Sequence, residues 1–279
     1  MQPLRAEALR QALTTGPRPA WRAVDVVEST GSTNADLAER ARAGEQEGLV
    51  LVAEHQVAGR GRRERSWEAP PRSSIAVSVL LRPAVPPVLR PWIALLGGIA
   101  VVDAIRDVAQ LPATLKWPND VLVPVHDGDH PDRREDPRKV AGLLAEVAGD
   151  AVVLGIGLNV TQDAGELPVA TATSLRLAGA ATTDRETVLR AVLVELAARY
   201  AEWLRVDGDP VASGLGAGYR ERCSTIGRTV RVELPGDRAV EGTAQDVDDD
   251  GRLVVREEGG QINALAVGDV VHIRSGEPA

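Results

Sequence analysis

Arginine and glycine are concentrated in one short stretch of this chain, GRGRRERSW at residues 59–67. Gly59 and Gly61 let the backbone approach a ligand closely, and arginine side chains offer bidentate hydrogen bonds to phosphate oxygens. In a chain whose net charge is -8, the stretch predicts a loop that meets an anion. A solvated basic loop is the alternative interpretation of such a run of charge. The four arginines are Arg60, Arg62, Arg63 and Arg65.

Lysine is rare in this chain, because only Lys116 and Lys139 occur among its 32 basic residues. An ammonium is a compact point charge on a flexible stem, whereas a guanidinium is a bulky planar fork. The two lysines therefore indicate positions that need something other than generic positive charge. Chance survival of two lysines in an arginine-rich chain is the alternative.

Further polar motifs follow predicted strands or open a predicted helix. GSTN supplies small hydroxyls and an amide at a helix start, where they can bind polar ligand atoms or a phosphate. Together with the arginine loop, the motifs predict a strand-lined pocket for an anionic nucleotide and a second small ligand. They are GSTN (31–34), Gln56, KWPND (116–120), KVAG (139–142) and GIGLN (155–159).

Several other catalytic motifs are missing from the sequence. Neither lysine follows a glycine, which excludes a P-loop, and Val160 stands where a dinucleotide-binding motif needs its third glycine. No G-x-S-x-G occurs to anchor a Ser/His/Asp triad. His126 and His130 lie near aspartates in an irregular segment without a second ligand cluster, which disfavours a metal site. GLGAG (214–218) follows no strand and is predicted to be a loop.

Hydrophobic periodicity distributes the motifs over strands and helices. One helix is predicted after GSTN with Thr33 as its N-cap, one over 91–109, and a long one that opens with a capping box at Thr183 and Glu186. Residues 124–138 are polar and without period, and predict an exposed insertion. The predicted strands are WRAVDVVES, LVLVAEH, SSIAVSVLL, the hairpin ATLKWPNDVLV, KVAGLLAEVAG and DAVVLGIGLNV.

From about residue 224 the pattern changes to short strands separated by the turns PGD, DDDG and EEGG. A meander of roughly fifty residues suits a small β-barrel. The sequence therefore predicts an α/β (α+β) fold in two domains, residues 1–223 and 224–279.

The composition, 44% hydrophobic and 26% charged residues, is that of an ordinary soluble globular protein. No apolar run is long enough to span a bilayer, and the N-terminus lacks the apolar core of a signal peptide. The acidic balance argues against a broad nucleic-acid surface, and no helix-turn-helix fits before residue 30. We therefore expect a cytoplasmic protein with neither DNA nor a membrane as partner.

The ordered series GSTN, GRGRRERSW, KWPND, KVAG and GIGLNV closely resembles that of the biotin protein ligases. The match runs from about Trp21 to Asn159, and the long helix and small barrel extend it over nearly the full chain. Lipoate ligases and octanoyl transferases of the same fold do not normally combine GRGRRxRxW with KWPND. The resemblance is to the monofunctional type, without an N-terminal DNA-binding domain. It implies a mixed-sheet catalytic domain of the biotin/lipoate ligase type with a C-terminal SH3-like β-barrel.

The resemblance also implies a reaction. Biotin would be activated with ATP and Mg²⁺ to biotinyl-5'-AMP and then transferred to a lysine of a biotin carboxyl carrier domain, by a monomer or weak homodimer. A lipoate or octanoate ligase or transferase of the same fold, and a biotin-binding regulator without ligase activity, remain alternatives. The insertion and Glu64, which adds a negative charge to the arginine loop, depart from the family pattern.

The resemblance carries site residues over to this chain. Lys139 is expected between the biotin carboxylate and the α-phosphate, with Arg62 and Lys116 as further catalytic residues. Asp120 is expected to bind Mg²⁺ or its water, although capping of the turn is an alternative. The expected biotin-binding residues are Ser32, Thr33, Asn34, Gln56, Gly59, Arg60, Lys139, Gly142 and Gly155. The expected ATP- or adenylate-binding residues are Arg60, Arg62, Arg63, Arg65, Trp67, Lys116, Asn119, Asn159 and Arg274, with residues 168–176 as a loop beneath the adenine.

Overall fold

The structure, a computed structural model, describes residues 2–17, 19–125 and 137–273, apart from the side chain of Glu64. Most of the predicted insertion, with His126 and His130, lies outside the described residues, as does Arg274.

A seven-stranded sheet forms the centre of the molecule, in the order β1-β2-β3-β7-β6-β5-β4. Strands β1 and β2 are parallel and every other neighbouring pair is antiparallel, which confirms the predicted mixed sheet. Its strands are β1 (Ala23–Val27), β2 (Leu49–Ala53), β3 (Ser74–Leu81), β4 (Thr114–Lys116), β5 (Asp120–Val123), β6 (Arg138–Ala148) and β7 (Ala151–Asn159).

Helices cover the two faces of this sheet unequally. On one face a large apolar core joins the sheet to α1, α3 and α4, and includes Ile99 and Leu196. On the other face a smaller cluster, with Leu37 and Val153, joins the sheet to α2 alone. The helices are α1 (Ala6–Thr14), α2 (Thr33–Arg42), α3 (Trp92–Ala104, continued by a π-turn at Ile105–Ala109), α4 (Arg185–Arg205) and α5 (Leu215–Arg222).

The expectation that no apolar run is long enough to span a bilayer was wrong, because the helical stretch Pro87–Ala109, which contains α3, is long and apolar enough to cross a membrane by length and composition alone. Within the protein, however, 67% of its apolar stretch is buried, as expected of a core helix.

A second, five-stranded antiparallel sheet follows, in the order β11-β10-β9-β8-β12. Its inward residues, among them Val230 and Val255, belong to the same apolar cluster as α3, so the two sheets share one continuous core. Its strands are β8 (Thr229–Leu234), β9 (Arg238–Val247), β10 (Leu253–Arg256), β11 (Ile262–Leu265) and β12 (Asp269–His272).

Three local predictions were wrong. The N-cap of α2 is Ser32 rather than Thr33, and the N-cap of α4 is Asp184 rather than Thr183. Asp184 accepts the Thr187 N–H, whereas Glu186 pairs with Arg5 on the N-terminal segment. GLGAG lies largely within α5 instead of a loop, because the helix buries apolar side chains against α3 and this packing overrides the low helix propensity of glycine.

Candidate active site

A cleft opens where α2 leaves the sheet uncovered. There the strands carry serine and glycine instead of the apolar residues found under α2, and the register places Gly142 opposite Gly157 and Ser78 opposite Gly155. The missing side chains leave a cleft of about 930 Å³, counting space open to solvent, which is the size of a small-molecule site.

Side chains from other elements enter the space above these glycines. A Cβ atom at Gly155 would overlap Asn34 Oδ1, and one at Gly157 would overlap the indole ring of Trp67. The Trp67 ring also lies over Gly142. Its buried indole N–H has no hydrogen-bond partner in the described structure, so it can donate to a ligand.

One end of the cleft, the neutral end, is a network of uncharged polar side chains: Thr33, Asn34, Gln56 and Ser78. Gln56 Oε1 accepts both the Thr33 N–H (2.8 Å) and the Thr33 hydroxyl (3.0 Å). The Ser78 hydroxyl donates to Asn34 Oδ1 at 2.6 Å and lies 2.7 Å from the Thr33 hydroxyl. Because these partners come from α2, β3 and the segment after β2, their mutual positions are fixed by the packed sheet.

Local structure explains how these side chains reach the cleft. Ser32 caps α2 by accepting the Ala35 N–H, so Thr33 and Asn34 lie in the first helical turn and point towards the strands. Asn34 Nδ2 donates to Glu146 Oε2 at 2.7 Å, which holds its amide over β6. Sequence reasoning missed Ser78. The one available signal was a serine in a run of buried apolar strand residues.

The opposite end, the cationic end, contains Lys116, Lys139, Arg60, Arg62 and Arg65. Lys139 Nζ lies 2.6 Å from Asp120 Oδ1 and 5.9 Å from the centre of the Trp67 ring. Burial lowers the pKa of Lys116, nearby Asp120 opposes this shift, and Lys139 adds to it. A second anion beside these ammonium groups would therefore be bound favourably.

The arginine loop rests on the second sheet. Asp269, the first residue of β12, lies 2.5 Å from Arg65 Nη2, 3.4 Å from Arg63 Nη1 and 3.8 Å from Arg62 Nη1. Arg62 also donates to Asn119 Oδ1 and to the carbonyl of Gly268, both at 3.2 Å. One carboxylate thus holds three arginines in place by charge.

The four arginines are not equivalent. Burial lowers the pKa of Arg62, an effect that Asp269 and Asp120 oppose, whereas Arg60 is exposed at the cleft. Arg60 has no ion pair among the described residues. Arg63 does not line the cleft and donates instead to the carbonyl of Glu233. Sequence reasoning missed Asp269, because nothing in its own neighbourhood indicates that it faces a loop about 200 residues away along the chain.

The second sheet also contacts the KWPND turn. The backbone N–H of Trp117 donates to Thr225 Oγ1 at 3.1 Å, and its indole N–H donates to the carbonyl of Gly251 at 3.1 Å. His272 Nε2 lies 3.2 Å from the same Thr225 hydroxyl. Burial, with the nearby charges of Lys116 and Arg228, lowers the pKa of His272 to about 4, so this imidazole is neutral near pH 7.

Among the expected site residues that the structure describes, most line the cleft, but three do not. Gly59 lies behind Gln56 and Trp67, where a Cβ atom would overlap the Trp67 carbonyl. Arg63 faces the second sheet. Asn159 is buried, donates to the carbonyl of Thr173 and accepts from Gln162. Those that do line the cleft are Ser32, Thr33, Asn34, Gln56, Arg60, Arg62, Arg65, Trp67, Lys116, Asn119, Asp120, Lys139, Gly142 and Gly155.

The segment expected beneath the adenine contacts the backbone of Lys139. Lys139 N–H donates to the Thr171 carbonyl and Thr173 N–H donates to the Lys139 carbonyl, which adds residues 171–173 to the edge of β6. Asn159 supports the segment through Thr173. This arrangement fixes the backbone from which the Lys139 side chain extends.

The described residues contain no group of three or more His, Cys, Asp or Glu side chains that could hold a metal ion. Two carboxylates line the cleft, Asp120 and Asp269, and both are paired with cationic side chains. These donors do not form a metal cage held by the protein alone.

Comparison with known proteins identifies relatives of this chain. The profile of the Biotin/lipoate A/B protein ligase family matches residues 26–163, and that of the Biotin protein ligase C terminal domain matches 225–273. The Biotin--[acetyl-CoA-carboxylase] ligase of Mycobacterium tuberculosis is 45% identical over 98% of this chain and 97% of its own length. The Bifunctional ligase/repressor BirA of Bacillus subtilis is 30% identical over 83% of this chain and 67% of its own length. The solved biotin protein ligase from Aquifex aeolicus in complex with biotin and ATP is 26% identical, with a TM-score of 0.73 over 91% of this chain and all of that one.

Proposed function

The chain belongs to the biotin protein ligase family, and we propose that it activates biotin with ATP to biotinyl-5'-AMP and transfers biotin to a lysine of a biotin carboxyl carrier domain. One observation carries the proposal: a single cleft joins an uncharged hydrogen-bonding end to an end with five cationic side chains. Biotin has an uncharged ureido ring at one end and a carboxylate at the other, and ATP adds further anions. The polarity of the cleft matches this pair of substrates.

The neutral end is proposed to bind the ureido ring. A ureido group presents both N–H donors and a carbonyl acceptor, so its site needs both kinds of partner. Ser32, Thr33 and Gln56 supply hydroxyls and an amide, while Gly142 and Gly155 leave room beside the strands. The hydrogen bonds among these side chains support binding because they are formed before the ligand arrives.

The cationic end is proposed to carry out the adenylation. The biotin carboxylate attacks the α-phosphate of ATP, a phosphorus–oxygen bond forms, and pyrophosphate leaves. Two anions must approach one another, and the Lys139 ammonium is the proposed charge between them. Lys139 forms an ion pair with Asp120 in the described structure, which supports the proposal that its ammonium is available to pair with an anion in the cleft.

Lys116 and Arg62 are proposed to hold the phosphate oxygens. Burial lowers the pKa of Lys116, and a bound phosphate would oppose that shift by favouring the charged form. The Arg62 fork already reaches into the cleft through Asn119, which places it beside the KWPND turn. Arg60 and Arg65 are proposed to close over the adenylate.

Magnesium is proposed to enter with ATP. Mg²⁺ commonly takes most of its ligands from substrate phosphates and water, with one or two carboxylates from the protein. Asp120 is the proposed carboxylate, which would then exchange its ion pair with Lys139 for the metal. When bound, the ion would neutralise phosphate charge.

Transfer is proposed to complete the reaction. The amine of the carrier lysine attacks the acyl carbon of biotinyl-5'-AMP, the new amide bond forms, and AMP leaves with its phosphate.

We propose that residues 1–223 form the catalytic domain and that 224–279 form the smaller one. The smaller domain supports the arginine loop through Asp269 and the KWPND turn through Thr225.

The test is transfer of labelled biotin to a purified carrier domain, with and without ATP, with pyrophosphate release measured in parallel. We expect labelling that depends on ATP and on the carrier lysine, and none with lipoate in place of biotin. Biotin binding without pyrophosphate release would instead indicate a regulator, and labelling by lipoate would indicate a lipoate ligase.

A further inference from the structure

Two oppositely charged side chains are buried together outside the cleft. Glu54 directly follows β2, and Arg185 is the first residue of α4. Arg185 Nη1 lies 2.6 Å from Glu54 Oε2, and the side chains are 6% and 3% exposed. Burial of two charges carries a large desolvation penalty, which only close pairing and further hydrogen bonds can offset. Neither residue lines the cleft or takes part in the proposed chemistry.

The N-terminal segment, residues 2–5, closes over this pair. The backbone N–H of Leu4 donates to Glu54 Oε1 at 2.5 Å, and Arg185 Nη2 donates to the carbonyl of Gln2 at 2.9 Å. Arg185 Nη1 also donates to the carbonyl of Ser74, the first residue of β3, at 3.3 Å. The pair therefore joins the N-terminal segment, the end of β2, the start of β3 and the start of α4.

The end of β2 leads directly into the neutral end of the cleft. Thr30 N–H donates to the carbonyl of His55, and Val57 N–H donates to the carbonyl of Thr30, so the pairing of β1 with β2 continues past the strands. Gln56 lies in this continuation, two residues after Glu54. A displacement of the Glu54 backbone would move the Gln56 amide that orders the neutral end.

The start of β3 reaches the same place from the other side. Ser78 lies on β3, four residues after Ser74, and its hydroxyl bonds to Asn34. In contrast, the two lysines of the cationic end lie on β4 and β6, and its arginines lie on the loop between β2 and β3, where Asp269 of the second sheet holds Arg62 and Arg65. The buried pair is thus linked through short stretches of strand to the neutral end of the cleft, and its described hydrogen bonds do not reach the strands that carry the two lysines.

We infer that Glu54 and Arg185 are positioning residues for the biotin end of the site, held in register by the N-terminal segment. The inference rests on the proposed function. A buried charge that shifts away from its partner is left uncompensated, so the pair permits only one relative position of β2, β3 and α4. That position presents Gln56 to the ureido ring, together with the Asn34 amide that Ser78 holds.

The first test replaces one charge. Glu54→Gln keeps the size of the side chain but leaves Arg185 buried without a counter-charge. We expect the KM for biotin and its Kd by calorimetry to rise about tenfold, equivalent to the loss of one well-placed hydrogen bond. The KM for ATP should stay within about twofold, well inside the effect of one hydrogen bond. Glu186→Gln is the matched control, because it removes the ion pair with Arg5 but leaves the buried pair intact.

A second variant separates position from stability. The double change Glu54→Leu with Arg185→Leu removes both buried charges, and such replacement is often neutral or stabilising. We expect its Tm to approach that of the wild type while its biotin KM stays raised, because the hydrogen bonds to Leu4, Gln2 and Ser74 are lost. If either folded variant binds biotin as the wild type does, the inference is overturned. If the wild type itself fails to transfer biotin with ATP, the proposed function fails instead.

Discussion

The two ends of the cleft are built in opposite ways. At the neutral end the side chains are joined to one another, since Gln56 holds Thr33 and Ser78 holds Asn34. At the cationic end the like-charged side chains cannot bond to one another, and two carboxylates of the protein hold three of them instead: Asp120 pairs with Lys139, and Asp269 with Arg62 and Arg65. One end is complete without a ligand. At the other end, three of the cations are paired with carboxylates of the protein itself.

This difference follows from the chemistry each end must serve. A neutral ligand gains most from hydrogen-bonding partners that are already oriented, because little ordering is left to oppose binding. A set of cations needs counter-charge in the free protein, and that counter-charge must yield to phosphate. We therefore expect substitutions at the cationic end to act on the reaction and on retention of the intermediate. Substitutions at the neutral end should act on biotin affinity.

The largest effect is expected at Lys139. Lys139→Ala should reduce pyrophosphate release about 10²–10³-fold, because one charge that stabilises the transition state is lost. Lys139→Arg should also be poor, since a planar fork cannot occupy the place of a compact ammonium. The Tm should be unchanged in both variants. Wild-type turnover in the arginine variant would remove this role from Lys139.

The next effect concerns retention of the adenylate. Arg62→Gly removes charge-assisted contacts worth about 1.5–3 kcal/mol, which corresponds to a roughly 10–150-fold weaker hold on an anion. The escaping mixed anhydride should biotinylate surface lysines of a bystander protein, detected on a streptavidin blot at matched adenylate production. Arg63→Gly is the comparison, because it removes an arginine of the same loop whose side chain lies outside the cleft. Equal bystander labelling by wild type and Arg62→Gly would leave Arg62 without a part in retention.

A substitution at Gly155, the strand glycine beneath Asn34, tests the neutral end. Gly155→Ala places a methyl group where Asn34 Oδ1 lies, so the Asn34 amide must leave Ser78. Biotin affinity should fall about 10–100-fold, the value of one or two buried hydrogen bonds, while the KM for ATP changes little. Gly165→Ala, whose new methyl group meets open space, should bind biotin normally. Calorimetry measures the biotin affinity of both variants. Equal affinities would contradict the predicted role of Gly155.

Acid should loosen the contact between the second sheet and the cationic end. The pKa of His272 is about 4 in the folded protein and near 6.5 when unfolded, so the unfolded chain binds the proton first as pH falls. Folding stability should therefore drop by at most about 1.5 kcal/mol between pH 6.5 and pH 5 through this group, since partial exposure of the ring screens part of the effect. Urea unfolding at the two pH values measures the loss. In His272→Gln the free energy of unfolding should differ less between the two pH values. A loss as large as that of the wild type would contradict this role of His272.

The smallest effect is expected at Asp269. Asp269→Asn removes the charge that holds three arginines, a change of about 1 kcal/mol for partly exposed pairs, or roughly fivefold. Trypsin should cleave faster within residues 60–65 of the ligand-free protein, and biotin with ATP should still protect them. Asp237→Asn, in an exposed turn, is the control. Identical digestion rates in all three proteins would show that the counter-charge does not order the loop.

Much of the fold could be predicted because it depends on local pattern. Apolar strand runs marked the strands of the central sheet, and the turn sequences after residue 224 marked the second sheet. Helix boundaries were predicted wrongly where tertiary contacts engage the side chains on which the local pattern depends. Ser32 caps α2 because the Thr33 hydroxyl is engaged by Gln56, and α5 forms because its side chains are buried against α3.

The sequence by itself determined which chemistry this protein has: two lysines, a glycine-spaced arginine loop and small polar residues, in an order that identifies the family. The tertiary structure alone decided how these groups are held. It placed Asp269 against the loop, Ser78 beneath Asn34 and the Glu54–Arg185 pair behind the cleft. These contacts join residues far apart in the chain. Periodicity and capping describe only neighbours within a few residues, so no local pattern contains such contacts.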